Sequence, residues 1–269
     1  TVVAFGTSSP ELAATLTAAI KGAPEVALGN VLGSNIANLG LILGISALLQ
    51  PLVAHADFLR REIPFLVAIG VLLVLLAMNG RYGRADGILL LCLFAGYLWV
   101  LLRKGEAPAI DKDEKEAAEK GSLWVQGLLV VGGIAVLVVG ADLMVRGAVS
   151  LARSFGLSEQ VIGLSLVAVG TSLPELATSV VAAAKGEADI VLGNVVGSNI
   201  FNVLLVLATT AVIRPVPVSL DAFGRDMGVG LLLSIAVLPL LVVGQAPRLA
   251  RYEGACLLGA YVLYLVWIF

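Results

Sequence analysis

GTSSPELAATLTAAIKG (Gly6–Gly22) and LGNVLGSNIAN (Leu28–Asn38) return as GTSLPELATSVVAAAKG (Gly170–Gly186) and LGNVVGSNIFN (Leu192–Asn202), with every counterpart 164 residues further on. Each copy sets a glutamate, a proline and a row of serines, threonines and asparagines inside apolar sequence. Polar groups repeated at membrane depth describe a cation site divided between two halves of a chain.

The surrounding sequence fixes the solvent. Charged residues make up 13% of the chain and mean hydropathy is +1.02, whereas soluble domains carry about 25% charged residues. Apolar runs of about 20 residues, long enough to cross a bilayer, recur throughout. They lie near 1–20, 25–49, 62–79, 85–102, 123–143, 158–184, 188–213, 226–244 and 250–268, which predicts nine helices. The class is an all-α polytopic membrane protein whose partner is the lipid bilayer. A net charge of −2 carries no information about a nucleic-acid partner, and without a basic run of the kind that grips phosphates no such partner is expected. Cys92 and Cys256 lie far apart in apolar segments without ligand-like spacing, so buried thiols are expected rather than a disulfide or a metal site.

KGEAPAIDKDEKEAAEKG, between Arg103 and Ser122, is the one strongly charged stretch and belongs in water. It divides the chain into a first half (1–102), a linker (103–122) and a second half (123–269). Aligned by the 164 offset, Thr1 matches Ser165, so the counterpart of Trp124–Leu164 is missing from the first half. The expectation is an N-terminal truncation, with five plus five helices in the native architecture. An odd number of helices per copy makes the second copy enter the membrane from the opposite side. Such inverted repeats place a transporter's substrate near the midplane, between matching segments. Ten of the seventeen Lys and Arg residues fall on the linker side, which favours a cytoplasmic linker.

The chemistry of G-T-S-x-P-E follows from its proline. Pro10 and Pro174 lack an N–H and crowd the preceding turn, which loosens the helix and frees carbonyls near Gly6, Thr7, Gly170 and Thr171. Carbonyls and hydroxyls freed at membrane depth need a neighbouring helix, water or a cation, and calcium and sodium take oxygen ligands of this kind. Glu11 and Glu175 follow their prolines directly, and a carboxylate at the bilayer centre costs at least about 2.5–3.5 kcal/mol. No Lys or Arg lies near either glutamate within its helix, so a bound cation is the economical partner. In G-N-x-x-G-S-N-x-x-N, Ser34 and Asn38 share one helix face, as do Ser198 and Asn202. Gly29, Gly33, Gly193 and Gly197 suit close helix packing. Asn30, Asn35, Asn194 and Asn199 suit interhelical hydrogen bonds, and protonated, hydrogen-bonded glutamates are the bland alternative to a cation site.

These motifs resemble those of the sodium/calcium exchanger superfamily, whose two α-repeats carry G-[ST]-S-x-P-[ED] and G-S-N-x-x-[ND], in the form found in its prokaryotic branch. The resemblance implies an antiporter without a cofactor, whose transported ions are calcium and sodium, one calcium competing with three sodium ions. Its ion ligands map onto Thr7, Ser8, Glu11, Ser34 and Asn38 in the first repeat, and onto Thr171, Ser172, Glu175, Ser198 and Asn202 in the second. The carbonyls of Ala4 and Ala168 match further ligand positions. Potassium-dependent members place an acid where Asn202 stands, which implies potassium independence. The calcium/proton branch has Gly-Asn-x-x-Glu in place of the Thr-Ser-x-Pro-Glu run kept twice here, which favours sodium. A calcium/proton antiporter using the same glutamates remains an alternative. So does an intramembrane hydrolase, although the one histidine, His55, stands by Pro51 and Asp57 in a loop and no lysine accompanies the repeated serines.

Overall fold

The computed structural model describes residues 6–55, 58–103, 123–242 and 247–269. Ala4, Asp57 and linker residues 104–122 lie outside them. The helices described are α1 (Ser9–Ile20), α2 (Pro24–Leu49), α3 (Ile63–Ala77), α4 (Arg84–Arg103), α5 (Leu123–Phe155), α6 (Glu159–Thr171), α7 (Leu173–Ala184), α8 (Ala188–Ile213), α9 (Leu220–Val242) and α10 (Arg251–Ile268). Prolines stand in the first turn of α1, α2, α3 and α7, where a missing N–H costs nothing. Gly22 (φ 83°) and Gly186 (φ 79°), 164 apart, make the left-handed turns from α1 into α2 and from α7 into α8.

The architecture is a helical membrane bundle of two inverted repeats. Helices α2 and α8 form its centre, with 78% and 83% of their apolar stretches buried, whereas α4 has only 17% buried and faces outward. Two short antiparallel ladders tie the repeats together. Leu52–Val53 (β1) pairs with Arg248–Leu249 (β4), and Arg81–Tyr82 (β2) pairs with Val216–Pro217 (β3). Each ladder takes one strand from each copy.

Close approach of helices depends on glycine. A Cβ on Gly33 would collide with the Leu164 carbonyl and lie 2.7 Å from Ala168 Cβ, and one on Gly29 would lie 3.0 Å from the Gln160 carbonyl. These positions seat α2 directly on α6. Gly44 and Gly254 do the same between α2 and α10, and Gly87 between α4 and α8. Gly193, expected to pack in the same way, has open space where its Cβ would stand. Large side chains such as Leu28, Ile36, Leu39, Phe201 and Leu204 build the main core. A separate core of small residues, including Ala14, Ala18, Ala27, Ala141, Val145 and Ala148, joins α1, α2, α5 and α6.

Hydropathy misplaces several features. The stretch 158–184 is a broken span, with α6 and α7 meeting at 48°. Helix α5 continues past residue 143 to Phe155. Helix α9 begins at Leu220, six residues earlier than expected. Cys92 and Cys256 are free but exposed, not buried. An outward, lipid-facing position is as apolar as an inward one, so hydropathy cannot separate the two. Tyr252, Trp99 and Trp267 are exposed as an interfacial belt requires, but Tyr264 is buried and hydrogen-bonded inside the protein.

The glycine contacts make a contrast testable. Gly33→Ala is expected to lower stability by about 1–3 kcal/mol, the usual cost of overpacking, whereas Gly193→Ala is expected to be neutral or slightly stabilising. Thermal midpoints of the two detergent-solubilised variants, measured beside the parent, check this.

Candidate cation site

Both copies of G-T-S-x-P-E interrupt a helix at the serine that follows the threonine. Ser8 has φ −83° and ψ 6°, and Ser172 has φ −84° and ψ 8°. Each break ends one helical piece and starts the next, placing Glu11 in the first turn of α1 and Glu175 in the first turn of α7. The positive ends of these two helix dipoles therefore lie beside the two carboxylates. Helical bonding resumes beyond each proline through Leu12 N–H to the Ser8 carbonyl (3.2 Å) and Leu176 N–H to the Ser172 carbonyl (3.0 Å).

The repeats then complete one another. Ser8 Oγ donates to Glu175 Oε1 at 3.0 Å, and Ser172 Oγ donates to Glu11 Oε1 at 2.9 Å. Each glutamate is thus held by the serine of the other copy. Thr7 and Thr171 bond across in the same sense, to Asn194 Oδ1 (3.3 Å) and Asn30 Oδ1 (3.0 Å). Asn30 Nδ2 donates to Thr15 Oγ1 (2.8 Å) and the Glu11 carbonyl (3.4 Å). Asn194 Nδ2 donates to Ser179 Oγ (3.0 Å) and the Glu175 carbonyl (3.2 Å). Every partner in one half is the 164-shifted partner in the other.

The remaining candidates come from α2 and α8. Ser34 Oγ lies 3.4 Å from Thr171 Oγ1 and 3.5 Å from the Ala168 carbonyl, and Ser198 Oγ donates to Glu175 Oε1 at 3.4 Å. The Ala168 carbonyl also accepts the Ser172 N–H at 3.0 Å. Asn38 Nδ2 donates to Asn199 Oδ1 (2.9 Å), and Asn202 Nδ2 donates to Asn35 Oδ1 (3.0 Å). These bonds take up an amide proton of each asparagine and leave its oxygen unused. At these same two residues the helices widen into π-type turns, Asn38–Ile42 and Asn202–Leu207, a distortion that often marks a functional site.

The hydrogen-bond census has four conspicuous gaps. Glu11 Oε2, Glu175 Oε2, Asn38 Oδ1 and Asn202 Oδ1 are buried acceptors without a protein partner; the other two such atoms, at Ser46 and Tyr261, are hydroxyls. Glu11, Glu175, Asn38 and Asn202 are each 0% exposed. Among the described residues the ion pairs are Lys21–Asp142, Arg146–Asp142 and His55–Asp189, and none reaches either glutamate. Two carboxylate and two amide oxygens are therefore left for a ligand of positive charge. His55 and Asp189 are largely exposed, 74% and 67%, so the histidine does not serve the buried serines.

The structure thus places the candidates in three hydrogen-bonded groups, Glu11 with Ser34, Ala168, Thr171 and Ser172, Glu175 with Thr7, Ser8 and Ser198, and Asn38 with Asn202 through Asn199 and Asn35, with Ala4 outside the described residues. Sequence reading missed Thr15 and Ser179, which hold the bracing asparagines. The signal was present: both are hydroxyl residues, 164 apart, four positions after their glutamates.

Comparison with known proteins gives the family. The family model for sodium/calcium exchanger proteins matches residues 1–103 and 125–269. Inner membrane protein YrbG of Escherichia coli K12 is 38% identical over all of this chain and 85% of its own. Sodium/calcium exchanger MaX1 of Methanosarcina acetivorans is 32% identical over all of this chain and 87% of its own. A structure of the sodium-calcium exchanger NCX_Mj, soaked with sodium and calcium, superposes with a TM-score of 0.74 at 30% identity, covering 99% of this chain and 84% of that one. The chain belongs to the sodium/calcium exchanger family and is an integral membrane protein of the antiporter kind that this family comprises.

The crossed serines generate a test specific to this arrangement. In double-mutant cycles on thermal stability, Ser8→Ala is expected to couple to Glu175→Gln by about 0.5–3 kcal/mol and to add independently to Glu11→Gln. Ser172→Ala is expected to show the mirror pattern, coupling to Glu11→Gln.

Proposed function

We propose that the chain exchanges sodium for calcium across a prokaryotic plasma membrane by alternating access, electrogenically and without potassium. The observation that carries this reading is the set of four buried, unpartnered oxygens on Glu11, Glu175, Asn38 and Asn202. Hydroxyls of Thr7, Ser8, Thr171, Ser172, Ser34 and Ser198 and the carbonyls of Ala4 and Ala168 complete the oxygen shell. Calcium takes six to eight such ligands, and only two of the groups offered are carboxylates. The charged linker lies on the cytoplasmic side, and the chain works as a transporter, not an enzyme.

The charge of the site sets the stoichiometry. Two ionised glutamates carry −2, which one calcium neutralises and three sodium ions exceed by one. Exit of three sodium ions against entry of one calcium moves one positive charge outward, worth about 2.3 kcal/mol per 100 mV. Asn38 and Asn202 keep the count at −2. Their amide protons are committed to Asn199 and Asn35 across the repeat boundary, and an acid in either place would face an acceptor oxygen instead.

Calcium uptake into sodium-loaded proteoliposomes diluted into sodium-free buffer tests the reading. Uptake is expected to require the outward sodium gradient and to accelerate when the lumen is made positive. Uptake that follows an imposed proton gradient instead would assign calcium/proton antiport to the same carboxylates, and flux indifferent to both gradients would refute either exchange. Glu11→Gln and Glu175→Gln are each expected to weaken calcium binding by about 100-fold or more, since stripping one member from a buried charge pairing costs about 3–5 kcal/mol. Normal exchange by either variant would overturn the site.

A further inference from the structure

A second buried carboxylate cluster lies outside the cation site. Asp226, in α9, is 3% exposed. Its Oδ1 accepts the Tyr264 hydroxyl of α10 at 3.0 Å, and its Oδ2 accepts Gln160 Nε2 of α6 at 2.8 Å. The same Gln160 nitrogen donates to the Ala222 carbonyl at 2.8 Å. The neighbouring Arg225 guanidinium lies 5.1 Å from the Trp267 ring centroid and pins α9 to α10 a second time. The first turn of α6 is thereby tied to an α9–α10 pair that is already fastened together.

Four observations give this tie a role beyond general packing. Helix α6 ends at the cation site, where it supplies the Ala168 carbonyl and Thr171 and leads through Ser172 to Glu175. Its contacts with α1 and α5 run through a core of small residues, Ala14, Ala18, Ala141 and Val145 with Ile162 and Val167, a smooth surface that offers no polar lock. Among the described residues, the side-chain hydrogen bonds from the first two turns of α6 to another helix are the two made by Gln160. A cavity of about 160 Å³, lined by Ser158, Gln160, Leu164, Arg225, Asp226 and Trp267, lies beside the tie and leaves α6 room to shift.

Alternating access requires some helices to move against others around a fixed site. We infer that Asp226 is a positioning residue of the exchange cycle: through Gln160 it latches the start of α6 to α9 and α10, and release of this latch accompanies movement of the helix that carries half the ion site. The inference rests on the antiport reading above. Asp226 touches no ion, so it sets the rate of the conformational step and not the affinity of the site. An asparagine at 226 offers an accepting oxygen at only one of the two positions where Tyr264 and Gln160 now donate.

The test uses the full chain, reconstituted for calcium flux and in detergent for equilibrium calcium binding. Asp226→Asn and Gln160→Leu are each expected to change the exchange rate about threefold or more, to leave calcium Kd within about twofold, and to be non-additive when combined. Asp226→Glu is expected to restore part of the wild-type rate. Unchanged rates, rate and Kd moving together, or single effects that multiply in the double variant would overturn the latch. Should Asp226→Asn fail to fold, Gln160→Leu, whose amide bonds lie at the end of α6, is judged by the same split. Absence of flux from the wild-type protein would refute the antiport reading alone. In that case hydrogen exchange at residues 158–163 still decides the latch, with faster exchange in Gln160→Leu upholding it and unchanged exchange overturning it.

Discussion

Two carboxylates with no exposure and, among the described residues, no basic partner are the constraint around which this protein is arranged. Glu11 and Glu175 each keep one oxygen on a serine of the opposite repeat and one oxygen without a partner. In a bilayer interior such a group is tolerated only with a compensating charge or a dense set of donors. The local structure meets this need in stages. The proline break puts each carboxylate in a helix's first turn, beside positive dipole ends, and the crossed serines fix its orientation. The asparagines 30 and 194 then lock the broken helices to α2 and α8. Neither repeat contains a finished site, because each glutamate also takes a serine hydroxyl from the opposite repeat.

The duplication made most of this legible before any coordinates. A constant offset of 164 predicted inverted repeats with matching segments around one centre, and the prolines predicted loosened helices, but the apolar run 158–184 reads as one span and hides its break. Glu11 and Glu175 as buried acids, and Ser34 with Asn38 and Ser198 with Asn202 on shared helix faces, followed from residue type and spacing, while their place in a ligand set is what the family resemblance implies. Hydropathy could not say which way an apolar residue faces, so Cys92 and Cys256 were placed inward and stand outward. Nor did it show that the serine hydroxyls cross between copies, since which of two equivalent partners a side chain chooses depends on three-dimensional approach. The π-type widening at Asn38 and Asn202 leaves no trace in residue type either.

The same offset reads a second, weaker duplication. Arg61-Glu62 corresponds to Arg225-Asp226, and each acid accepts a tyrosine hydroxyl from the last helix of its repeat: Tyr97 to Glu62 at 3.0 Å and Tyr264 to Asp226 at 3.0 Å. The tyrosines are not equivalent positions, since Tyr97 corresponds to Tyr261, whose hydroxyl has no partner. The acid was retained in both copies while its tyrosine partner moved by one turn. The acid there has only to find a donor, whereas Glu11 and Glu175 each keep the equivalent serine of the opposite repeat.

That difference bears on coupling. On the proposed reading, an empty site leaves −2 in a low-dielectric interior, and carrying it past the barrier costs far more than carrying a neutral calcium-loaded site or a sodium-loaded one of +1. Several kcal/mol per uncompensated charge suppresses empty return by orders of magnitude. Exchange is then obligatory without any dedicated gate, because loaded forms alone cross at useful rates. The amides at Asn38 and Asn202 are part of this balance. Acids in their place would raise the charge to −4, so that one calcium no longer neutralised the site and the calcium-loaded form became as poor a traveller as the empty one.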